Sequence, residues 1–385
     1  DNIAPEIINL TTRVTKTSIA VTVTASDNVG VTEYWYQIGT NAAVKGTGNT
    51  HTFTGLSAGT TYTIKVYVKD ASGNQSDTTT KSVTTSSLTA EDTLTKLNIT
   101  SYKTTVPDFS QIATTDEGIF RVSDGMYGGY SYYWRGAATT NYVKFAGFCW
   151  RIVRINGDGS LRLIYDGTTC HANGTGTTES IAVVNTEYNT GSNQSNYVGW
   201  TYEGALQRPS SMTSGIDSNA KTQLESWYNS NIGNNAAYSA KVADGKYCND
   251  RNVASVYTWA INGSAFYYAG YARLYTNYTP TLSCSSNDVY TLKVGLITAD
   301  EVEFAGGKNE NNTSYYLYNR QQYWTMSPYY WNNPNAWVFL VTANGMLQYN
   351  GANATIGLRP VINLKSDTTF TSGGNGTRTN PYVVS

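Results

Sequence analysis

The stretch FCWRIVRINGDGSLRLIYDG, residues 148–167, is two apolar-rich runs joined by Asn156-Gly157-Asp158-Gly159. Branched and aromatic side chains favour extended backbone, and the Asn-Gly and Asp-Gly pairs supply the positive φ values a tight reversal needs. The stretch therefore predicts a β-hairpin. Two helical patterns follow it. SNAKTQLESWYNSNI places Leu224, Trp227, Tyr228 and Ile232 at three- and four-residue spacings behind an Asp217 or Ser218 cap. TADEVEFAGG carries a capping box, Thr298 to Glu301, and stops on Gly306 and Gly307. Strand and turn alternate again over the last hundred or so residues, through QYWTMSP, NAWVFLV, MLQYNG and IGLRPVINL.

Toward the amino end the pattern changes. EIINLTT, SIAVTVTAS, VTEYWYQIG, THTFTGL, TYTIKVYVKD and TTKSVTT alternate apolar and polar positions in short runs, which is the pattern of a β-sandwich. GLSAGTTYTIKVYVKDASGNQS, residues 55–76, resembles the late strands of a fibronectin type III domain. Leu56 opens the corner, Gly59 permits its turn, and Tyr62 stands where such domains tie a tyrosine hydroxyl back to the backbone. Trp35 is the expected core tryptophan. A polar TTSS link ends this region, so the expected domains are residues 1–87, an Ig/fibronectin III-like spacer, and 88–385. Asp1, Asp27 and Asp70 stand at loop ends and are candidate ligands for a structural calcium ion, against the plainer reading that they cap turns. No other cofactor is required.

Composition narrows the function classes. A net charge of −1 and a charged fraction of 14% argue against nucleic acid and anionic membrane as partners. Tyrosine is the outlier, 32 of 385 residues, and it suits both extended strands and ligand-contacting surfaces. Cys149, Cys170, Cys248 and Cys284 contain no CxxC pair and only two histidines accompany them, so disulfides in an oxidising, extracellular setting are expected rather than zinc. Four cysteines allow three pairings, of which sequence neighbours, Cys149 with Cys170 and Cys248 with Cys284, are the expected one. No apolar run reaches membrane-helix length, and the opening DNIAPEI reads as part of the ectodomain of a longer protein.

YYWRG at 132–136, the hairpin at 148–167, CNDR at 248–251, GLITADEVEFAGG at 295–307, YWTMSP at 323–328 and GLRPVINL at 357–364 form an ordered series. The series is similar to a family of bacterial surface proteins whose carboxy-terminal domains resemble the C-type lectin fold. The resemblance implies an α+β, C-type-lectin-like domain over residues 88–385. It extends to formylglycine-generating enzymes and to the variable proteins of diversity-generating retroelements, phage tropism determinants among them. The late cysteine pair of the enzymes is missing, His171 stands in a loop-like CHANGTGT with no nucleophile elbow nearby, and in the Asp300, Glu301 and Glu303 cluster the capping box accounts for Glu301 while helix geometry turns Glu303 away from Asp300, so no catalytic role is expected. Calcium-dependent lectins need carboxylates in their sugar loop, and none occurs between Ser327 and Lys365.

The remaining expectation is an adhesin-like binder of a glycan or protein receptor, displayed on a cell or phage tail. Its surface would lie on the loop SPYYWNNPNAW and the strands after it. Tyr329, Tyr330, Trp331, Asn332, Asn335, Trp337, Tyr349, Asn350 and Asn353 would be exposed over a framework of Trp324, Phe339, Leu347, Leu358 and Val361. The competing reading folds Trp331 and Trp337 inward. Arg359 reads as an internal anchor. The alternative function is a structural stalk, pilus or tail subunit without a ligand of its own.

Overall fold

The computed structural model describes residues 1–174 and 181–385; the end of the CHANGTGT segment, from 175, lies outside the described residues. The chain divides into two compact units, Asp1–Leu88 and Thr89–Ser385.

The first unit is a β-sandwich of fibronectin III/Ig type. Its strands are β1 (Glu6–Val14), β2 (Ser18–Ser26), β3 (Val31–Ile38), β4 (Val44–Lys45), β5 (Thr50–Thr54), β6 (Thr61–Asp70) and β7 (Thr79–Thr84). They form a β1-β2-β5 sheet and a β4-β3-β6-β7 sheet, with every pairing antiparallel. Period-two alternation sends Ile19, Val21, Val23, Ile64, Val66 and Val68 into the core. The corner forms as expected: Gly59 takes φ +60°, and the Tyr62 hydroxyl accepts from the Ser57 N–H at 2.9 Å. The core aromatic is Tyr36, fully buried, and not Trp35. One residue of phase separates them. Trp35 faces outward, stacks on Tyr67 at 5.8 Å and donates its indole N–H to Glu33.

In the second unit, α1 (Ala90–Lys96) leads into β8 (Asp116–Ser123), β9 (Tyr130–Gly136), β10 (Tyr142–Phe145), β11 (Phe148–Ile155) and β12 (Leu161–Tyr165). The hairpin expected at 148–167 is β11 and β12, with Ile155 opposite Leu161 and the turn closed by the Asn156 N–H on the Ser160 carbonyl. These strands centre an eight-stranded sheet that continues through Val361–Leu364 to Val294–Gly295 on one side and through β10 to Tyr382–Val383 on the other. A second sheet runs from Val184–Thr186 through Ile356–Leu358, Tyr323–Trp331 and Ala336–Val341 to Leu347–Gly351. Helix α2 (Asn219–Tyr228) is capped by the Ser218 side chain and buries Ala220, Leu224 and Tyr228. The Ala299–Phe304 helix has the Thr298–Glu301 capping box. The disulfides are Cys149–Cys170 and Cys248–Cys284.

The interior of this unit is unusually rich in guanidinium groups. Arg135, Arg151, Arg154, Arg162, Arg251 and Arg359 are all essentially inaccessible to water. Each is held by carboxylates, side-chain amides or backbone carbonyls, the arrangement a buried charge requires. Arg154 contacts Asp124 at 2.8 Å and Glu301 at 3.1 Å, Arg251 contacts Asp288 at 3.2 Å, and Arg359 donates to the Tyr165 and Leu317 carbonyls at 2.7 and 2.8 Å.

Candidate binding surface

SPYYWNNPNAW is mostly strand. Residues 323–331 form one strand and 336–341 its antiparallel neighbour, which leaves only Asn332–Asn335 as the turn. Pro328 is tolerated because the register shifts on either side of it, so the ladder bond it cannot donate is not required there. The turn contains a cis Asn333–Pro334 peptide and is closed by the Asn332 N–H on the Asn335 carbonyl at 3.1 Å.

This geometry corrects the expected exposed set. Trp331 is fully buried and donates its indole N–H to the Gly263 carbonyl at 3.2 Å. It points inward because a strand alternates faces and because Phe266–Tyr267 pairs with this end of the strand, Phe266 opposite Trp331. Tyr329 is also buried. Tyr330, Asn335, Trp337 and Asn350 are half-buried, and Asn332, Asn353 and Tyr349 are exposed. Trp324, Phe339, Leu347, Leu358 and Val361 form buried framework.

The tyrosines assemble into a platform that the last segment builds only in part. Tyr349 lies face to face on Tyr329, with ring centres 3.8 Å apart and planes 9° apart, and Trp337 stands nearly perpendicular to Tyr349 at 5.6 Å. Tyr267 stacks on Tyr271 at 3.9 Å and on Tyr330 at 4.2 Å. Two rings cannot share one face at such distances, so Tyr267 is the middle of a three-ring stack. Tyr329 joins the two groups at 5.8 Å from Tyr267, and Tyr257 leans on Tyr267 at the same distance. Tyr275 packs on Tyr329 and Phe339 and donates its hydroxyl to the Leu347 carbonyl at 2.5 Å. Tyr257, Tyr267, Tyr271 and Tyr275 were not among the expected site residues. The four-residue spacing of the last three, in FYYAGYARLYT, is a helical face that was legible.

The platform is electrically neutral. Burial, followed by the neighbouring tyrosines, pushes the Tyr267 hydroxyl pKa up, and burial does the same for Tyr329 and Tyr275. Residues 253–272 and 327–358, which supply nearly all of it, contain no charged side chain. In the same segment of chain, Asn332 accepts from the Asn335 N–H, Asn335 from the Ser192 hydroxyl and Asn350 from the Gly351 N–H, each through its carboxamide oxygen. Their carboxamide nitrogens have no partner among the described residues and remain available as donors.

Of the acidic cluster, Asp300 and Glu301 are committed to internal pairs. Arg273 grips Asp300 through two bonds of 2.7 and 2.8 Å and Asp250 through one of 3.0 Å, while Glu301 is held by Arg154, Arg162 and the Thr298 N–H. Glu303 is buried with neither carboxylate oxygen partnered, and burial, reinforced by Asp300, raises its pKa to about 9. His171 contacts the Asp166 carbonyl through Nδ1 at 2.7 Å, which is a loop contact.

In the first unit, carboxylate oxygens of Asp1, Asp27 and Asp70 lie within 4.8 Å of one another. Backbone N–H groups of Val29 and Gly30 orient Asp27, whose Oδ1 is buried and without a hydrogen-bond partner. Burial acts to raise the Asp70 pKa, but bonds from Asn74 and nearby backbone outweigh it and hold the carboxyl below its usual range. Three carboxylates this close repel one another, and a hard cation with oxygen ligands fits between them.

No protein-family model matches the chain. Two proteins of Niallia circulans are similar to part of it. Chitinase A1 is 50% identical over 66 residues, 17% of this chain and 9% of that enzyme. Chitinase D is 54% identical over 76 residues, 19% of this chain and 14% of its own length. The similarity belongs to the fibronectin III-like unit, so the chain spans only a small part of those relatives. Among solved structures, the PKD1 domain of the Vibrio cholerae metalloprotease PrtV aligns with 22% of this chain and 99% of its own, at 20% identity and a TM-score of 0.19. The two disulfides are those of a protein that matures in an oxidising compartment. Among the described residues, no helix is long and apolar enough to cross a membrane.

Proposed function

We propose that the chain is an extracellular, non-catalytic, adhesin-like binding protein. Its fibronectin III-like unit acts as a spacer for a C-type-lectin-like unit that contacts a ligand or receptor. The observation that carries this reading is the neutral platform of stacked tyrosines, with exposed Asn332 and Asn353 close to its rings along the chain. Rings locked by mutual stacking lose little entropy on binding, and they offer both apolar faces and polar edges. The lectin-like assignment draws support from the terminal strand Tyr382–Val383 returning beside β10 and from the helices set against the sheets. Similarity of the first unit to chitinases, enzymes named for acting on a polysaccharide, favours a carbohydrate-associated setting. Absence of catalysis is supported by the internal pairing of Asp300 and Glu301.

Display on a bacterial surface or phage tail, and diversification by a retroelement, are finer parts of the same proposal. They fit the exposed Asn332 and Asn353 and the half-buried Asn335 and Asn350 over a buried framework. A near-identical template repeat beside a reverse transcriptase in the neighbouring DNA would support diversification, and its absence would remove it. Calcium at Asp1, Asp27 and Asp70 is proposed as structural.

The test of binding is an array of glycans and cell-surface proteins, probed with the full chain and with a folded Tyr330→Ala, Tyr349→Ala variant. Signals lost in the variant support the platform. Identical profiles place the site elsewhere, and polymerisation without any ligand favours a stalk.

A further inference from the structure

We propose that the ligand of the platform is the interior of an uncharged polysaccharide chain whose pyranose units carry equatorial substituents. The proposal rests on the binding reading above and names its ligand class. Four observations lead to it.

The first is charge. The two segments that build the platform carry no ionisable group apart from tyrosine hydroxyls, several of which are pushed upward in pKa. An anionic glycan or a charged protein epitope would find no counter-charge there, whereas a neutral chain loses nothing by that lack. Protein hot spots commonly pair aromatic anchors with arginine, and the arginine closest to the rings, Arg273, is already engaged by Asp300 and Asp250.

The second is ring presentation. Tyr349 is covered on one face by Tyr329 and is 38% exposed, so part of its ring remains accessible to a ligand. The end rings of the Tyr271–Tyr267–Tyr330 stack are half-exposed. A flat aromatic face complements the axial C–H bonds of a pyranose whose hydroxyls all lie in the ring plane, and an axial hydroxyl would lift the sugar off the ring. Several adjoining rings suit several adjoining sugars.

The third is the polar rim. Sugar hydroxyls and acetamido carbonyls lie at the ring periphery and accept hydrogen bonds there. Exposed Asn332 and Asn353, in the turns that follow Tyr330 and Tyr349 along the chain, supply carboxamide donors for such acceptors.

The fourth is openness. The cavities lined by Arg162 and Asp300, by Lys241 and Lys365, by Asn185 and Gln321, and by Asn173 and Arg378 include none of these rings. A chain terminus or a single sugar is recognised by enclosure in a pocket, and an open platform recognises the middle of a chain lying across it.

The experiment is isothermal titration of the full chain with cellohexaose and chitohexaose, and with dextran and alginate oligosaccharides as axially linked and anionic controls. Titrations are repeated with Tyr349→Ala and with Asn353→Ala, at low and high salt and with EDTA, each variant first checked for an unchanged melting curve. The expected result is binding of at least one equatorial hexasaccharide, weakened about five- to tenfold by Tyr349→Ala. It should be unchanged by EDTA and altered less than about twofold by salt. Preference for alginate, loss of binding in EDTA, or indifference to Tyr349→Ala would overturn the inference. If no oligosaccharide binds but platform variants abolish capture of a protein on the array, this inference fails and the binding reading stands. If platform variants change nothing on the array either, both fail.

Discussion

Replacing Glu303 by glutamine should stabilise the protein, and by more as the pH rises. The side chain is 1% exposed, neither of its oxygens has a partner, and its nearest charges are Asp300, which opposes ionisation, and Lys308, Arg135 and Arg273, which favour it. Burial wins, and the folded-state pKa rises from 4.5 to about 9. Between those values the folded protein retains a proton that the unfolded chain has released, so stability falls with increasing pH across that window. Each pH unit withdraws about 1.4 kcal/mol, which comes to roughly 4 kcal/mol by about pH 7.5. Glutamine has the same shape and never ionises, so Glu303→Gln avoids the loss. Urea unfolding of both proteins from about pH 5 to 8 measures it. The difference in unfolding free energy should be small at the acid end and widen steadily. Curves that run parallel would refute the reasoning, because they would mean that Glu303 ionises in the folded protein as easily as in water.

Other predictions separate framework from surface. Trp331→Ala should cost about 3–5 kcal/mol through the cavity and the lost bond to Gly263, whereas Tyr349→Ala should stay within about 1 kcal/mol of the parent; equal losses in chemical denaturation would contradict the assigned burial. If calcium binds Asp1, Asp27 and Asp70 with the roughly 0.1–1 mM affinity of extracellular modules, about 10 mM should stabilise the first unit by about 1.4–2.7 kcal/mol, and Asp27→Asn should abolish the gain. A melting transition indifferent to calcium would leave those residues as turn caps. Joint replacement of Cys248 and Cys284 by serine should lower stability by about 4 kcal/mol on the loop-closure argument, measurable by denaturant titration without reductant.

What could be read from sequence was what local chemistry decides. The β11–β12 hairpin, the Ser218 and Thr298 caps and the Tyr62 corner each depend on residues a few positions apart. Alternation gave the period of β3 but not its phase, so Trp35 was expected where Tyr36 lies. In SPYYWNNPNAW the prolines and asparagines suggested a loop, because a bulge that accommodates Pro328 depends on the partner strand. Trp331 was misplaced for a related reason: the strand that covers it, Phe266–Tyr267, is far away in the chain. Half of the tyrosine platform was missed with it. The buried arginine pairs were equally illegible, since Arg154 and Glu301 are 147 residues apart.

The Cys248–Cys284 bond has a consequence for the platform. The segment it closes contains Tyr257, Tyr267, Tyr271 and Tyr275, all the platform rings that do not come from the carboxy-terminal strands. In a reducing cytoplasm that segment lacks its covalent tether and is held only by ring packing, the Phe266–Tyr267 strand pairing and its hydrogen bonds. Oxidation of this one bond therefore bears on the platform more directly than on any other surface of the unit.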